Sequence, residues 1–249
     1  MSRLPGWLLS EPIAHRGLHD VAAGVIENSL PAFARAADAG MPVEFDVQLS
    51  ADDVPMVFHD LQLDRLTPAK GAVLAQTSQD LQRLQLYGTG ETMPSLAQVL
   101  ALLAGRVPIV FDIKGLKDTV GICEAAMLQL LGNYPGAFTI QSFRPERLDW
   151  LRHHAPAVVR GQLACDFERP DRVGFLTASR RAMLKRLMFN YLSRPDYISY
   201  DIADLPYQPV ADERRRGLPV IGYTAHSQAE LARVQPYIDN IIFEGFRPS

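Results

Sequence analysis

Val43-Glu44-Phe45-Asp46-Val47-Gln48-Leu49 is followed, after Ser50-Ala51-Asp52-Asp53, by Val54-Pro55-Met56-Val57-Phe58-His59-Asp60. The first run alternates apolar Val43, Phe45, Val47 and Leu49 with polar Glu44, Asp46 and Gln48. Side chains on a strand repeat every two residues, so Glu44 and Asp46 share one face and the apolar set faces packed helices. Two carboxylates crowded there repel and resist desolvation unless a cation neutralises them. The interval is far too short for a crossover helix, so the two runs read as an antiparallel hairpin turning at Asp52-Asp53. That turn folds Phe58-His59 back opposite Glu44 and Asp46. A lone Glu-x-Asp is commonly a solvated face and a lone His-Asp is commonplace; their pairing by the hairpin gives them meaning.

The 249 residues suit one domain of barrel size or two small ones. The 25 basic against 28 acidic residues give no field that would steer nucleic acid, which is not an expected partner. Cys123 and Cys165 are far apart and form no metal-ligand spacing or disulfide framework. The first ten residues, broken by Pro5-Gly6, do not read as a secretory signal, and no apolar run reaches membrane-spanning length. A cytoplasmic location is expected.

Outward from the hairpin, strands are expected at 13–17, 107–114, 137–143, 158–164, 197–201, 219–224 and 240–243. Helices are expected near 29–40, 78–86, 95–104, 118–131, 145–154, 171–192, 210–216 and 227–234. Ser29 with Pro31 opens one helix, and Gly40 ends it. Counting the hairpin once gives eight strands alternating with helices, the size and pattern of a (β/α)8 TIM barrel. A doubly wound open sheet is the alternative, but no Gly-x-Gly-x-x-Gly follows the first strand. No linker or low-complexity tract divides residues 1–249, so one domain is expected.

Barrel chemistry sits at the C-terminal ends of strands. Those ends carry His15-Arg16, Glu44 and Asp46, His59, Asp112 and Lys114, then Gln141-Ser142. Three carboxylates suit one hard divalent cation, Mg²⁺ or Ca²⁺. His15 and His59 can serve as general base and acid, and Arg16 with Lys114 can hold an anion. These residue types together point to metal-assisted attack on a phosphate ester.

The sequence resembles the glycerophosphodiester phosphodiesterases, which are (β/α)8 barrels. The resemblance rests on His15-Arg16-Gly17, Glu27-Asn28-Ser29, Glu44-Phe45-Asp46-Val47, His59-Asp60 and Arg65-Leu66-Thr67, in order. Ser142-Phe143 and Asp239-Asn240-Ile241-Ile242 extend it over most of the chain. It implies His15 and His59 as the acid/base pair, Glu44 and Asp46 as metal ligands, and Arg16 as a phosphate contact. Asp112-Ile113-Lys114 stands where the family has a Glu two residues before a Lys, so the third carboxylate is one methylene shorter. Tyr223-Thr224-Ala225 stands where the family commonly has Trp-Thr-Val, and Tyr223 is expected to wall the substrate site.

Glu27 reads as a support of the first loop, Asp60 as an orienter of His59 or a turn cap, and Glu244 as a lesser ligand candidate. His19, His153, His154 and His226 read as loop or surface residues. The expected substrate is a glycerophosphodiester such as glycerophosphocholine, cleaved to glycerol 3-phosphate and an alcohol. Alternatives are lysophospholipase D-type hydrolysis of single-chain lipids and a non-catalytic phosphate- or phospholipid-binding barrel. The stretch 171–192 mixes Arg172, Arg180, Arg181, Lys185 and Arg186 with apolar residues. It reads as a barrel helix or as a weak membrane-surface contact.

Overall fold

The computed structural model describes residues 4–115, 119–168 and 176–249. In chain order it begins α1 (Trp7–Ser10), β1 (Ile13–His15), α2 (Leu30–Asp38), β2 (Val43–Leu49), β3 (Pro55–Val57) and α3 (Ser78–Leu81). Next come α4 (Leu96–Leu103), β4 (Ile109–Ile113), α5 (Ile122–Leu131), β5 (Phe138–Ser142), α6 (Pro145–His154) and β6 (Arg160–Ala164). The rest is α7 (Ala178–Lys185), α8 (Asn190–Ser193), β7 (Tyr197–Asp201), α9 (Gln208–Arg215), β8 (Val220–Ala225), α10 (Gln228–Val234) and β9 (Asn240–Phe243). With β3 set aside as the hairpin arm, eight strands among the described residues alternate with helices. The chain is a (β/α)8 barrel.

Two compact units divide the chain: Ile13–Thr139, and Ile140–Ser249 with Met1–Pro12. In the first, β1 and β4 flank β2 in parallel, with His15 beside Glu44 and Asp46 beside Asp112. The arm β3 returns antiparallel on β2, with Val47 opposite Val57. Asp53, at φ +57°, makes the turn, and Ser50 N–H donates to Val54 O at 3.0 Å. Every residue of β2 is buried, because both of its faces are covered. Phe45 points away from the carboxylates and packs on Phe33 of α2 (4.8 Å between centroids) and Phe111 of β4 (5.1 Å). Each such ring, fully buried, contributes on the order of 1.5–3 kcal/mol. Local signals seat the helices. Ser29 caps α2 by accepting from Ala32 N–H at 3.4 Å, and Ser95 with Gln98 forms a capping box on α4.

In the second unit β5, from Ile140 onward, and β6 to β9 run parallel in chain order. Ile198, Tyr200, Val220 and Ile241 form its core with Leu184 and Leu187 from the α7 segment. The helix α1, not expected from the sequence, buries Leu8. Asn240 Nδ2 donates to Leu8 O and Glu11 O, each at 2.8 Å, and holds that helix to β9.

Two helix expectations need correction. The helix expected at 78–86 stops at Leu81, because the chain turns through Gly88 and Gly90 and pairs Met93 N–H with Leu84 O at 3.2 Å. The helix expected at 171–192 is not continuous where it is described; residues 171–175 lie outside the described residues. Leu187, at φ +59°, breaks it between α7 and α8, and both Leu184 and Leu187 stay buried.

Candidate active site

The strand β1 ends at His15, and the next residue, Arg16, turns at φ +55°. Arg16 N–H donates to Glu44 O at 2.7 Å, and Asn28 N–H donates back to Arg16 O at 3.0 Å. The loop between them therefore closes over the end of β2, and it delivers three side chains there. Asn28 Nδ2 donates to Asp46 Oδ2 at 2.8 Å, Arg16 Nε lies 3.3 Å from the same oxygen, and Glu27 Oε1 accepts from Arg16 Nη1 at 2.7 Å. His15 Nε2 lies 3.9 Å from Glu44 Oε2. From β4, Lys114 Nζ bridges Asp46 Oδ1 at 3.0 Å and Asp112 Oδ2 at 2.5 Å.

Glu44, Asp46 and Asp112 are all buried, and one oxygen from each lies within 4.8 Å of the others. Burial and the neighbouring charges of Asp46 and Asp112 push the Glu44 carboxyl well up. Burial likewise raises Asp112, with Lys114 opposing and Asp46 adding to the rise. Asp46 is also buried, yet Lys114, His59, Arg16 and the Asn28 amide outweigh that and hold it far below the usual carboxylate range. Lys114 is buried too, but Asp112 and Asp46 raise it, so it stays a cation. Three carboxylates thus face two strong cations, Lys114 and Arg16, and Arg16 is shared with Glu27. Glu44 Oε2 and Asp112 Oδ1 are buried with no hydrogen-bond donor. An all-oxygen set with two such orphaned atoms fits a hard divalent cation.

The hairpin brings His59 to the same strand. Phe58 N–H donates to Asp46 O at 3.2 Å, and Gln48 Nε2 donates to Phe58 O and Asp60 O, each at 2.8 Å. Asp60 Oδ1 lies 2.6 Å from His59 Nδ1. Burial raises the Asp60 carboxyl, but its bonds to His59 and Arg65 prevail and hold it far below the ordinary carboxylate range. An ionised Asp60 can only accept, which puts a proton on His59 Nδ1.

The structure thus brings His15, Arg16, Glu44, Asp46, His59, Asp112 and Lys114 together within the first unit. Tyr223 belongs to the second unit, where its hydroxyl donates to Ala164 O at 2.9 Å and its ring meets Phe143 edge-on at 6.2 Å. Glu244 follows β9, and its N–H donates to Ala225 O at 2.9 Å. His153, His154 and His226 are exposed. The sequence assigns no role to Asn28, Gln48 or Arg65, although Asn28 and Arg65 stand in the motifs Glu27-Asn28-Ser29 and Arg65-Leu66-Thr67 and Gln48 is the third polar residue on the Glu44–Asp46 face.

A (β/α)8 barrel with this buried anion-and-cation cluster at the ends of its strands belongs among the hydrolases of phosphate esters. A sequence profile of the Glycerophosphoryl diester phosphodiesterase family matches residues 15–243, and the chain belongs to that family. It is a phosphoric diester hydrolase. The chain is 29% identical over 241 residues to YhdW of Bacillus subtilis, provisionally named a glycerophosphodiester phosphodiesterase, covering 92% of each chain. It is 36% identical over 161 residues to a glycerophosphodiester phosphodiesterase of Caldanaerobacter subterraneus subsp. tengcongensis, covering 61% of this chain and 65% of that protein. The fold is similar to that of an Oleispira antarctica phosphodiesterase solved with its product sn-glycerol-3-phosphate. That likeness has a TM-score of 0.76 at 21% identity and covers 94% of this chain and 92% of the other.

Proposed function

We propose that the chain hydrolyses glycerophosphodiesters to glycerol 3-phosphate and an alcohol. In this reading Glu44, Asp46 and Asp112 hold one divalent cation, Mg²⁺ or Ca²⁺, and His15 and His59 are the acid/base pair. The observation that carries it is the buried acidic trio, with two orphaned oxygens, lying between Arg16 and Lys114.

When bound, the cation supplies positive charge to the phosphoryl oxygens. Arg16 and Lys114 orient the diester through its anionic oxygens. One histidine takes the proton of the attacking oxygen, and the other protonates the leaving oxygen as its bond to phosphorus breaks. The attacking oxygen is water or the substrate's neighbouring glycerol hydroxyl, the latter giving a cyclic phosphate that water then opens. Asp60 keeps His59 in the tautomer this requires. Tyr223 walls the substrate in the same reading.

Hydrolysis of single-chain lipids is a second reading, favoured by one observation. Met188 and Tyr191 are 50% and 71% exposed, and exposed Arg186 and Arg194 flank them. Incubation with glycerophosphocholine and with a lysophospholipid, followed by product analysis, separates the two. Glycerol 3-phosphate released from glycerophosphocholine is the expected result. Turnover of the lysophospholipid alone would move the assignment to the lipid reading, and turnover of neither would leave a binding barrel.

A further inference from the structure

We propose that Arg65 is a positioning residue for the reaction, setting the imidazole of His59 through Asp60 and anchoring Arg16 through Glu27. The proposal rests on the acid/base reading of His59 given above. Arg65 Nε donates to Asp60 Oδ2 at 2.6 Å and Nη2 to Asp60 Oδ1 at 3.1 Å. Its Nη1 donates to Glu27 Oε2 at 2.9 Å and its Nη2 to Glu27 Oε1 at 2.7 Å. One guanidinium therefore grips two carboxylates, each in bidentate fashion, which the point charge of a lysine cannot reproduce.

Each of those carboxylates spends an oxygen on a residue of the proposed machinery. Asp60 Oδ1 also meets His59 Nδ1 at 2.6 Å, and Glu27 Oε1 also accepts from Arg16 Nη1 at 2.7 Å. Arg16, Glu27, Arg65, Asp60 and His59 form one continuous chain, with Arg65 at its centre. The backbone on both sides of His59 is already fixed by Gln48, which bonds the carbonyls of Phe58 and Asp60. What remains unset is the rotation of the imidazole and the placement of its Nδ1 proton, and Asp60 decides both. Asp60 in turn has an aromatic partner on one side and Arg65 on the other. The Arg65 side chain is 45% exposed. The bidentate geometry and the network give these pairs a share in stability as well, so orientation has to be read separately from folding.

The test compares Arg65→Ala, Arg65→Lys, Asp60→Asn and His59→Ala in glycerophosphocholine hydrolysis, with kcat and KM separated. Nitrogen-15 spectra of the His59 ring are recorded alongside. Arg65→Ala should lower kcat by about 10–100-fold, the scale of a misplaced reacting group, with KM moving far less. Arg65→Lys should recover only part of the loss, and added guanidinium should restore turnover to the alanine variant. The ring spectrum should lose the single Nδ1-protonated tautomer in Arg65→Ala and in Asp60→Asn. Combining the two substitutions should cost no more than the larger of them alone. Should Arg65→Ala fail to fold, the lysine variant and its His59 spectrum carry the same test. Wild-type kcat and an unchanged His59 spectrum in the arginine variants, with His59→Ala inactive, would overturn the positioning role. Wild-type turnover in folded His59→Ala would instead overturn the acid/base reading itself.

Discussion

His15 and His59 stand on separate supports, one as the last residue of β1 and the other just past the hairpin arm; His15 Nε2 lies 3.9 Å from Glu44 Oε2, and His59 is near enough to Asp46 to help lower its carboxyl. Neither belongs to the apolar core. His15→Ala and His59→Ala should each lower turnover by about 10²–10⁴, the usual contribution of a positioned acid or base, while unfolding curves stay close to wild type. Near-normal turnover in either folded variant would remove that histidine from the mechanism. Asp60 predicts a pH effect on stability. Its folded-state carboxyl lies below the ordinary value of about 3.9, so its stabilisation is complete above that pH and is lost as pH falls through the folded value. Asp60→Asn should therefore shallow the acid limb of a plot of Tm against pH and leave its shape near neutrality unchanged. At this scale the strand residues were legible, because period-two alternation alone puts Glu44, Asp46 and Gln48 on one face. Asn28 and Arg65 were legible as members of motifs, but their contacts were not. Their partners Asp46, Glu27 and Asp60 are 5 to 38 residues away and are reached across loops, whose closure no local pattern encodes.

The loop after β1 is the element on which the site depends most. Gly17, at φ +82°, brings the backbone against α2, and a Cβ there would lie 2.8 Å from Ala32 C. Gly17→Ala combines a disfavoured backbone with overlap against a helix backbone. It should cost more than about 1 kcal/mol, read as a lowered denaturant midpoint, and it should displace Arg16 and reduce activity more than stability alone explains. An unchanged midpoint would show that the loop and α2 adjust freely. The 171–192 segment shows the opposite case, where helical spacing over-read the sequence. Of its described cations, Arg180 pairs with Glu146, Arg181 with Glu168 and Lys185 with Asp166, while Arg186 is exposed, as is Arg194 just beyond the segment; Met188 and Tyr191 lie between them in sequence. If this patch meets a membrane surface, the intact protein should co-sediment with anionic vesicles at low salt, and Arg186→Gln with Arg194→Gln should abolish it. Binding that survives those changes would exclude the patch.

Over the whole molecule, the alternation of strands and helices was readable because most strands are short runs, apolar or alternating, set between capping and turn residues. Element ends were less so: α3 stopped early where tertiary pairing of residues 84–93 competed with helical propensity. Among the described residues, no helix is long and apolar enough to cross a membrane. In the proposed reaction this barrel cleaves a phosphodiester with a divalent cation held by Glu44, Asp46 and Asp112. The most direct test is turnover of glycerophosphocholine by protein stripped with a chelator, verified metal-free, and then supplied with Mg²⁺, Ca²⁺ or a soft metal. Stripped protein should show no turnover, and Mg²⁺ or Ca²⁺ should restore it where the soft metal alone does not. Full turnover in verified metal-free protein would contradict that role of the cation.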